Sequence, residues 1–329
     1  MRRLLLTSGL VILLALSVVL AVRFGSVDLS TADVLAALTG GGLDWHRRIV
    51  NELRLPRAIL GALVGGGLAL AGATFQALLR NPLAEPYILG ISGGASVGAV
   101  LVLATGIAGG TLWTLPLAAF AGALFAIVLV FRVATASGRS MDVRVLLLAG
   151  VVVAAFFSAC IALILSVSEA RTVQSAVVWI MGSLAGAAWR DVIVAGTYTL
   201  PAAFLLLGLA RPLNLMAMGE ETAQHLGTDV ERVKRLALGV AALLTAAGVA
   251  VAGVIGFVGL VVPHAIRLLV GSDHRVLLPL SFLAGAAFLT LADLVAKLAL
   301  APAEIPIGVI TAFVGVPLFL VLLRRSLIS

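Results

Sequence analysis

Residues 58–79 read AILGALVGGGLALAGATFQALL, a run of twenty-two residues without one charged side chain. A helix needs about 20 predominantly apolar residues to cross the hydrocarbon core of a bilayer, so this run predicts a transmembrane helix. The whole chain of 329 residues has the same character, since 62% of it is hydrophobic and only 11% is charged. Soluble domains carry about 25% charged residues, and this difference excludes a soluble globular protein.

Other uncharged runs predict the number of membrane crossings. They cover residues 4–22, 86–131, 145–168, 192–210, 236–266, 276–292 and 305–323. The run 86–131 is too long for one crossing, and the glycines and proline within 106–116 predict a turn inside it. The run 236–266 contains the sequence AGVIG at 252–256, which predicts a second break. We therefore predict an all-α fold, with 1–329 forming a single polytopic membrane bundle of about ten transmembrane helices.

The distribution of basic residues predicts how the bundle is oriented. An even number of crossings places both termini on one side of the membrane. If that side is the inside, eight of the 22 lysines and arginines fall on outer segments and fourteen on inner ones. The outer eight are Arg23, Arg47, Arg48, Arg54, Arg57, Arg171, Arg190 and Lys297. This bias predicts a multi-pass protein of the cell (inner) membrane with cytoplasmic termini. The net charge of +7 then reflects topology, and no nucleic-acid partner is expected.

An internal similarity predicts two related halves. Residues 67–72 read GLALAG and are followed by Pro82, while residues 248–253 read GVAVAG and are followed by Pro263 at the same distance. The two copies lie in the second and seventh predicted crossings, which run in opposite directions. We therefore predict an inverted repeat, roughly 54–168 and 232–325, of the kind found in transporters. Chance similarity in a membrane sequence rich in glycine and alanine is the alternative.

Five glycines of the 58–79 run are spaced so that another helix could approach closely. They are Gly61, Gly65, Gly66, Gly67 and Gly72. We interpret them as packing residues, not as ligand-binding residues.

The sequence shows no motif for nucleotide binding, covalent catalysis or metal binding. No Gly-x-x-x-x-Gly-Lys-Ser/Thr motif occurs, so ATP-driven work would require an ATPase on another chain. The predicted spans show no nucleophile–base pair, and we expect no enzyme. His46, His225, His264 and His274 show no ligand spacing on one predicted helix, and we expect no metal site.

The inner segment, residues 211–235, is the longest polar stretch predicted to lie inside. Glu220 and Glu221 are expected to begin a short helix at its positive end, and Gly227 is expected to end it. A short helix outside the bilayer would offer a contact surface to a soluble partner. A solvated loop is the alternative.

Several motifs together resemble one family of membrane proteins. They are Arg54-Leu-Pro-Arg57, Asn81-Pro-Leu-Ala-Glu-Pro86, Gly219-Glu-x-x-Ala-x-x-Leu-Gly227, Gly256-Phe-Val-Gly-Leu-Val-Val-Pro-His264 with Arg267, Asp273-His-Arg275, Glu304-Ile-Pro-Ile-Gly308 and Gly315-x-Pro-x-Phe319. From residue 54 to residue 323 the sequence resembles the permease subunits of the FecCD family of ABC importers. That family takes up iron–siderophore complexes, heme and cobalamin.

The resemblance implies a permease subunit that works with several partners. These are a second permease copy in a homodimer or pseudodimer, two ATP-binding subunits and a substrate-binding protein, all assembled around the lipid bilayer. The resemblance implies that this chain binds no cofactor, because ATP and magnesium belong to the partner ATPase. An ion-coupled secondary transporter is the alternative. It would be expected to carry ionisable residues inside its spans, and the predicted spans are nearly free of them.

The resemblance also implies roles for individual residues. The residues that would contact the ATPase are Gly219, Glu220, Ala223, Leu226 and Gly227. The residues that would bind the substrate-binding protein are Arg54, Arg57 and Lys297. A cytoplasmic gate would be formed by Asn81 and Leu83 on one side and, near Met141, by Val143 and Arg144 on the other.

The sequence bears on two of these assignments. The chain lacks the Thr-Ser pair that a relative carries before residues 146–150, and this weakens the assignment of Val143 and Arg144 to the gate. Interfacial anchoring is the alternative for Arg54 and Arg57. Asp293 precedes Lys297 by four residues, which predicts an ion pair within one helix.

Overall fold

The computed structural model describes residues 2–107, 111–135 and 143–328. Within these ranges the chain forms helices joined by turns, without a β-sheet. The helices are α1 (Arg2–Arg23), α2 (Thr31–Leu38), α3 (Asp44–Arg48), α4 (Leu55–Leu78), α5 (Ile91–Thr105), α6 (Thr114–Thr135), α7 (Val143–Ser166), α8 (Ala170–Ile180), α9 (Trp189–Gly208), α10 (Ala210–Ala217), α11 (Glu220–His225), α12 (Val230–Ala252), α13 (Val258–Val270), α14 (His274–Leu298) and α15 (Ile307–Ile328). The predicted all-α class is confirmed.

Ten of the described helices are apolar enough to lie in a bilayer. Seven are long enough to cross it, namely α1, α4 together with α3 and the π-helical residues Ile49–Arg54 that join them, α6, α7, α9, α12 and α14. Three shorter apolar helices are α5, α13 and α15. Both predicted breaks are present, since α5 ends at Thr105 before α6 begins at Thr114, and α12 ends at Ala252 before α13 begins at Val258. The predicted count of about ten therefore agrees with the structure.

Local sequence explains where several helices begin and end. Ser30 and Asp33 form a capping box at the start of α2, which satisfies backbone N–H groups that the first helical turn leaves unpaired. Pro56 occupies the first turn of α4, where its missing N–H costs no helical hydrogen bond. Gly253 ends α12 with a φ of 70°, a backbone conformation that side chains with a Cβ rarely adopt.

Helix α4 lies at the centre of the bundle and packs against α1, α9, α12, α13 and α14. Its closest approaches are made by glycine. A Cβ on Gly65 would overlap the carbonyl oxygen of Gly285 on α14, and one on Gly72 would overlap the carbonyl of Gly259 on α13. A Cβ on Gly66 would lie 2.8 Å from the ring of Phe282. The interpretation of these glycines as packing residues is confirmed.

The two copies of the GxAxAG motif lie on antiparallel helices. Arg80, just after α4, and Lys234, near the start of α12, both contact Glu220, so the end of α4 and the start of α12 lie on the same face. This is the geometry that an inverted repeat requires. The two prolines differ, since Pro82 lies in the turn after α4 whereas Pro263 lies inside α13. The repeat and its boundaries stay a prediction.

We expect Gly65→Ala to destabilise the protein because the new methyl group would force α4 and α14 apart. Overpacking of this kind costs about 1–3 kcal/mol, and the thermal unfolding midpoint in lipid nanodiscs should fall. Gly239→Ala in α12 is the matched control, since a Cβ there meets nothing within 4 Å. Alanine favours a helix over glycine, so the midpoint of the control should stay the same or rise. Equal shifts for the two variants would contradict the close contact.

Candidate functional site

The inner segment folds as two short helices, α10 and α11, followed by the start of α12. Gly219 joins α10 to α11 with a φ of 131°, and Gly227 follows α11 with a φ of 82°. Both values lie in a region that favours glycine. The short helix predicted to begin at Glu220 and to end before Gly227 is confirmed, and the alternative of a solvated loop is wrong.

Helix α11 has a buried side and an exposed side. Ala223 is fully buried and belongs to the same core cluster as Met216 and Val230. Met218 and Leu226 flank the helix and are 70% and 60% exposed. Two large apolar side chains exposed beside a helix of six residues indicate a contact surface for another molecule.

Glu220 joins the inner segment to two long helices. Its Oε2 lies 2.6 Å from Nζ of Lys234 on α12, and its Oε1 lies 3.5 Å from Nη2 of Arg80 after α4. Arg80 also donates to the carbonyl of Met216 at 3.2 Å, and its own φ is 47°. Sequence reasoning missed Arg80 and Lys234 as partners of Glu220, because no motif or spacing connects residues so far apart on different helices.

A second connection runs from α10 to the start of α14. The Asn214 amide nitrogen donates to Oδ1 of Asp273 at 2.8 Å. Its oxygen accepts from the backbone N–H of His274 at 2.8 Å and lies 2.7 Å from Nδ1 of His274, which therefore carries the proton. The hydrogen bond from Asn214 is the main reason that the pKa of Asp273 is lowered. Sequence reasoning missed Asn214, and the motif at 273–275 was the only signal that pointed to this place.

The predicted gate residues lie at the inner end of α4 and the start of α7. The side-chain oxygen of Asn81 accepts from the backbone N–H of Leu83 at 2.9 Å, and Leu83 is exposed. Arg144 is exposed in the first turn of α7. Met141 and the side chain of Val143 lie outside the described residues, so the gate stays a prediction.

On the face opposite the inner segment, which the charge bias predicts to be the outer one, two predicted docking residues belong to a cluster of four charges. Arg57 contacts Asp293 through Nε at 2.9 Å and through Nη2 at 2.8 Å, and it contacts both oxygens of Glu304 at 2.9 Å. Lys297 lies 3.4 Å from Asp293, so the predicted ion pair within α14 is confirmed. The Asp293 side chain is 2% exposed and that of Glu304 is 35% exposed. Arg57 is therefore held between a buried carboxylate and an accessible one.

The third predicted docking residue, Arg54, is buried and binds the end of α1. Its guanidinium donates to the carbonyls of Val22 at 3.0 Å and Arg23 at 2.9 Å, and also to the carbonyl of Val27. The last carbonyls of a helix have no partner inside the helix, and Arg54 supplies one. Arg54 thereby joins the end of α1 to the start of α4, a packing contact that neither the docking role nor the interfacial-anchor alternative described. The docking role of Arg54, Arg57 and Lys297 stays a prediction.

The four histidines occupy separate places. His46 lies 3.4 Å from Asp33, His264 contacts the ring of Phe319, His274 contacts Asn214, and His225 ends α11. Within the described ranges no group of three His, Cys, Asp or Glu side chains is arranged to hold a metal ion.

Two cavities open among the described helices. An apolar groove of about 610 Å³ is lined by Met181, Phe257 and the part of α15 from Gly308 to Pro317. A larger cavity of about 1180 Å³ is lined in part by Trp113, Trp179 and Tyr198. The groove along α15 is nearly free of polar groups, whereas the larger cavity includes Arg190 and Asp191 at its edge.

Comparison with known proteins identifies the family to which these features belong. The model of the FecCD transport family matches residues 13–325. The chain belongs to the FecCD transport family. It is thus a multi-pass membrane protein of an ABC permease family, as the motifs of its sequence predicted.

Two relatives illustrate how completely this FecCD-family chain is matched. The cobalamin import system permease protein BtuC of Halobacterium salinarum is 48% identical over 302 residues, which cover 89% of this chain and 78% of that protein. The hemin transport system permease protein HmuU of Yersinia pestis is 39% identical over 320 residues, which cover 96% of this chain and 94% of that protein.

A solved structure also matches the fold of the chain. It is an inward-facing conformation of a metal-chelate type ABC transporter, which is 34% identical in sequence and has a TM-score of 0.86. The match covers 96% of this chain and 98% of the other, so no large element of either fold lacks a counterpart.

The outer cluster of charges generates a prediction about stability. Asp293→Asn should lower the unfolding midpoint strongly, because it leaves Arg57 and Lys297 without the carboxylate that they share. Removing one partner of a buried ion pair costs about 3–5 kcal/mol.

Glu304→Gln is the matched variant for that experiment, since it removes the accessible carboxylate of the same cluster. Exposed ion pairs contribute about 0–1 kcal/mol, so its midpoint should change little. Both variants are measured by thermal unfolding in nanodiscs of one lipid composition. A larger loss for Glu304→Gln than for Asp293→Asn would refute this ranking.

Proposed function

We propose that this chain is the translocation subunit of an ATP-driven importer, which moves a metal chelate from a binding protein outside to the cytoplasm. The proposal rests on how α11 is attached and which of its neighbouring side chains are exposed. Helix α11 is attached to α4 and α12 through Glu220 and to the core through Ala223, while Met218 and Leu226 face away from the protein. A helix held in this way is suited to receive movement from a soluble subunit and to pass it to the bundle.

The soluble subunits would be two ATP-binding chains, one for each permease copy. They would bind ATP and magnesium and hydrolyse the nucleotide, because this chain has no nucleotide-binding motif. Closure of the ATPases would move α11 and, through it, the helices that line the pathway. A partner bound at one place thereby favours one of two packings of the bundle.

The inner face in this proposal is the one that carries α11. Arg3, in the first turn of α1, lies 3.8 Å from Asp273, and Asn214 connects Asp273 to the inner segment. The amino-terminal end of α1 therefore shares the face of α11. With α11 in the cytoplasm, the orientation agrees with the predicted cytoplasmic termini.

A second permease copy would complete the pathway. We propose the apolar groove of about 610 Å³ along α15 for this contact, because helices in lipid associate through close packing and a groove offers a surface into which side chains of a second copy can pack. The translocation pathway would then run along the interface between the two copies. The copies would form a homodimer or a pseudodimer with a related permease.

The substrate class is supported by the relatives, which are permeases for cobalamin and hemin by name. Both ligands hold a metal within a macrocycle, and an iron–siderophore is the third chelate of the family. We propose a metal chelate as substrate, and the ligand of the cognate binding protein would decide which one. That protein would dock on the outer face, where Arg57 and Lys297 lie.

The alternative of an ion-coupled secondary transporter gains no support. Among the described residues, the buried charged side chains are Arg54, Lys234, Asp293 and Lys297. They lie near the ends of the long helices, where ion pairs stabilise the fold, and not midway across the bilayer. Coupling to an ion gradient usually relies on ionisable groups at the midplane.

Transport itself provides the central test. Reconstituted with its ATPase and binding protein in liposomes, the chain should take up a radiolabelled chelate only with ATP inside and the binding protein outside. Uptake should not change when a proton or sodium gradient is collapsed by ionophores. Uptake that is indifferent to ATP but lost with the gradient would replace the proposal with the alternative.

The exposed side of α11 should be needed for binding the ATPase. We expect Leu226→Ala to weaken association with the ATP-binding subunit roughly tenfold, the effect of losing a central apolar contact at an interface. The measurement is the dissociation constant in nanodiscs. Leu43→Ala is the control, because Leu43 is 57% exposed on the outer face. Equal weakening by both variants, or by neither, would contradict the role of α11.

A further inference from the structure

We propose that Asn214 is a positioning residue that transmits movement of the inner segment to α14, and through α14 to the outer charge cluster. The inference rests on the proposed function, because it assumes that α11 is moved by an ATPase. It assigns a role to a residue that lies outside the motifs of the sequence and outside the part of the inner segment that would touch the ATPase.

Asn214 lies on the helix directly before α11. It lies on α10, and only Met218 and Gly219 separate α10 from α11. Leu213 and Met216 of the same helix are buried in the core cluster that also contains Ala223. Because α10 and α11 share this packing, a displacement of α11 also displaces the Asn214 side chain.

Among the residues that the structure describes, the Asn214 amide binds to the start of α14, and it does so with both of its ends. Its nitrogen donates to Asp273, and its oxygen accepts from the backbone and the ring of His274. Asp273 is itself the N-cap of α14, since its Oδ1 accepts from the backbone N–H of Arg275 at 3.1 Å. Asn214 therefore binds the group that defines where α14 begins.

This link differs in kind from the pair that Glu220 forms with Arg80. The side chains of Arg80 and Glu220 are 51% and 36% exposed, so water and salt weaken their attraction. Asn214 is partly buried and His274 is only 3% exposed. Hydrogen bonds from a neutral amide in such a site depend little on ionic strength and require a definite geometry.

Helix α14 extends the link across the membrane. It has 25 residues, and at 1.5 Å for each residue it is about 37 Å long. Its inner end carries Asp273 and His274, and its outer end carries Asp293 and Lys297. Backbone contact between Gly65 and Gly285 holds it against α4, so the two helices move together, because packed backbones do not slide past each other without separation.

The outer end of this pair of helices holds Arg57 between Asp293 and Glu304. Glu304 lies in the connection between α14 and α15, so a shift of α14 relative to α15 would strain this connection and the contacts of Glu304 with Arg57. Movement at α11 would thereby alter the surface to which a binding protein docks. By reciprocity, docking at that surface would bias α11.

The experiment measures uptake and ATP hydrolysis in the same proteoliposomes, with the complete transporter and its binding protein. For Asn214→Ala we expect near-normal basal hydrolysis without the binding protein. Stimulation of hydrolysis by the binding protein should be lost. The amount of chelate taken up for each ATP should fall roughly fivefold, because the net contribution of one hydrogen bond to the balance between two conformations corresponds to about this factor. A residue that only supports the fold would lower hydrolysis and uptake in proportion to the amount of assembled complex.

Asn51→Ala is the matched control. The Asn51 amide is also partly buried and donates one hydrogen bond, to the carbonyl of Ala37 at 3.0 Å, but it lies on the outer side, away from α10 and α14. Its uptake for each ATP should equal that of the wild type. An unchanged ratio for Asn214→Ala, or an equal loss in both variants, would overturn the inference.

A second pair of variants keeps the test decisive if Asn214→Ala fails to assemble. Asp273→Asn retains an oxygen that caps α14 and accepts from Asn214, so coupling should persist, whereas Asp273→Ala should reduce it as Asn214→Ala does. The same loss in both Asp273 variants would overturn the inference. Failure of the proposed function would look different, because the wild-type complex itself would then show no ATP-dependent uptake.

Discussion

The contact of the α4 backbone with the α14 backbone at Gly65 and Gly285 is the constraint on which the rest of the structure depends. Helices in lipid gain nothing by hiding apolar surface from each other, so they associate through close packing and polar contacts. Glycine makes that approach possible here because it removes the side chain that would keep the helices apart. The approach places Arg57 beside Asp293 outside and brings Arg80 and Asp273 to the same inner face.

The charges of the protein are arranged according to this packing. In the outer cluster, two cations and two carboxylates meet, and Asp293 at its centre is almost completely buried. Beside α11, Glu220 contacts buried Lys234 and exposed Arg80. Buried pairs are costly to separate, whereas exposed pairs rearrange easily. The outer cluster is thus suited to hold the bundle together, and the pair of Glu220 with Arg80 is the one suited to change.

The same division is what the proposed drive by a partner ATPase would require. In that proposal force enters through α11, beside which Met218 and Leu226 are exposed. It then has to reach helices that span the bilayer, and Glu220 and Asn214 connect the inner segment to three of them, α4, α12 and α14. Rigid helices that are joined in this way shift between discrete packings, because a close-packed interior resists gradual deformation.

The sequence by itself determined the class of fold, the number of apolar helices, both breaks within long runs, the short helix at Glu220 and the family. These features depend on local properties, such as the length of an apolar run or a glycine at a helix end, and they are visible without knowledge of contacts. The ion pair of Asp293 with Lys297 was also predictable, because both residues lie on one helix turn. Only the tertiary structure decided that Arg57 contacts Asp293, that Asn214 contacts Asp273, and that Arg54 turns inward to the end of α1. Those partners come from distant parts of the chain, and they meet only because of the direction and rotation with which the helices pack.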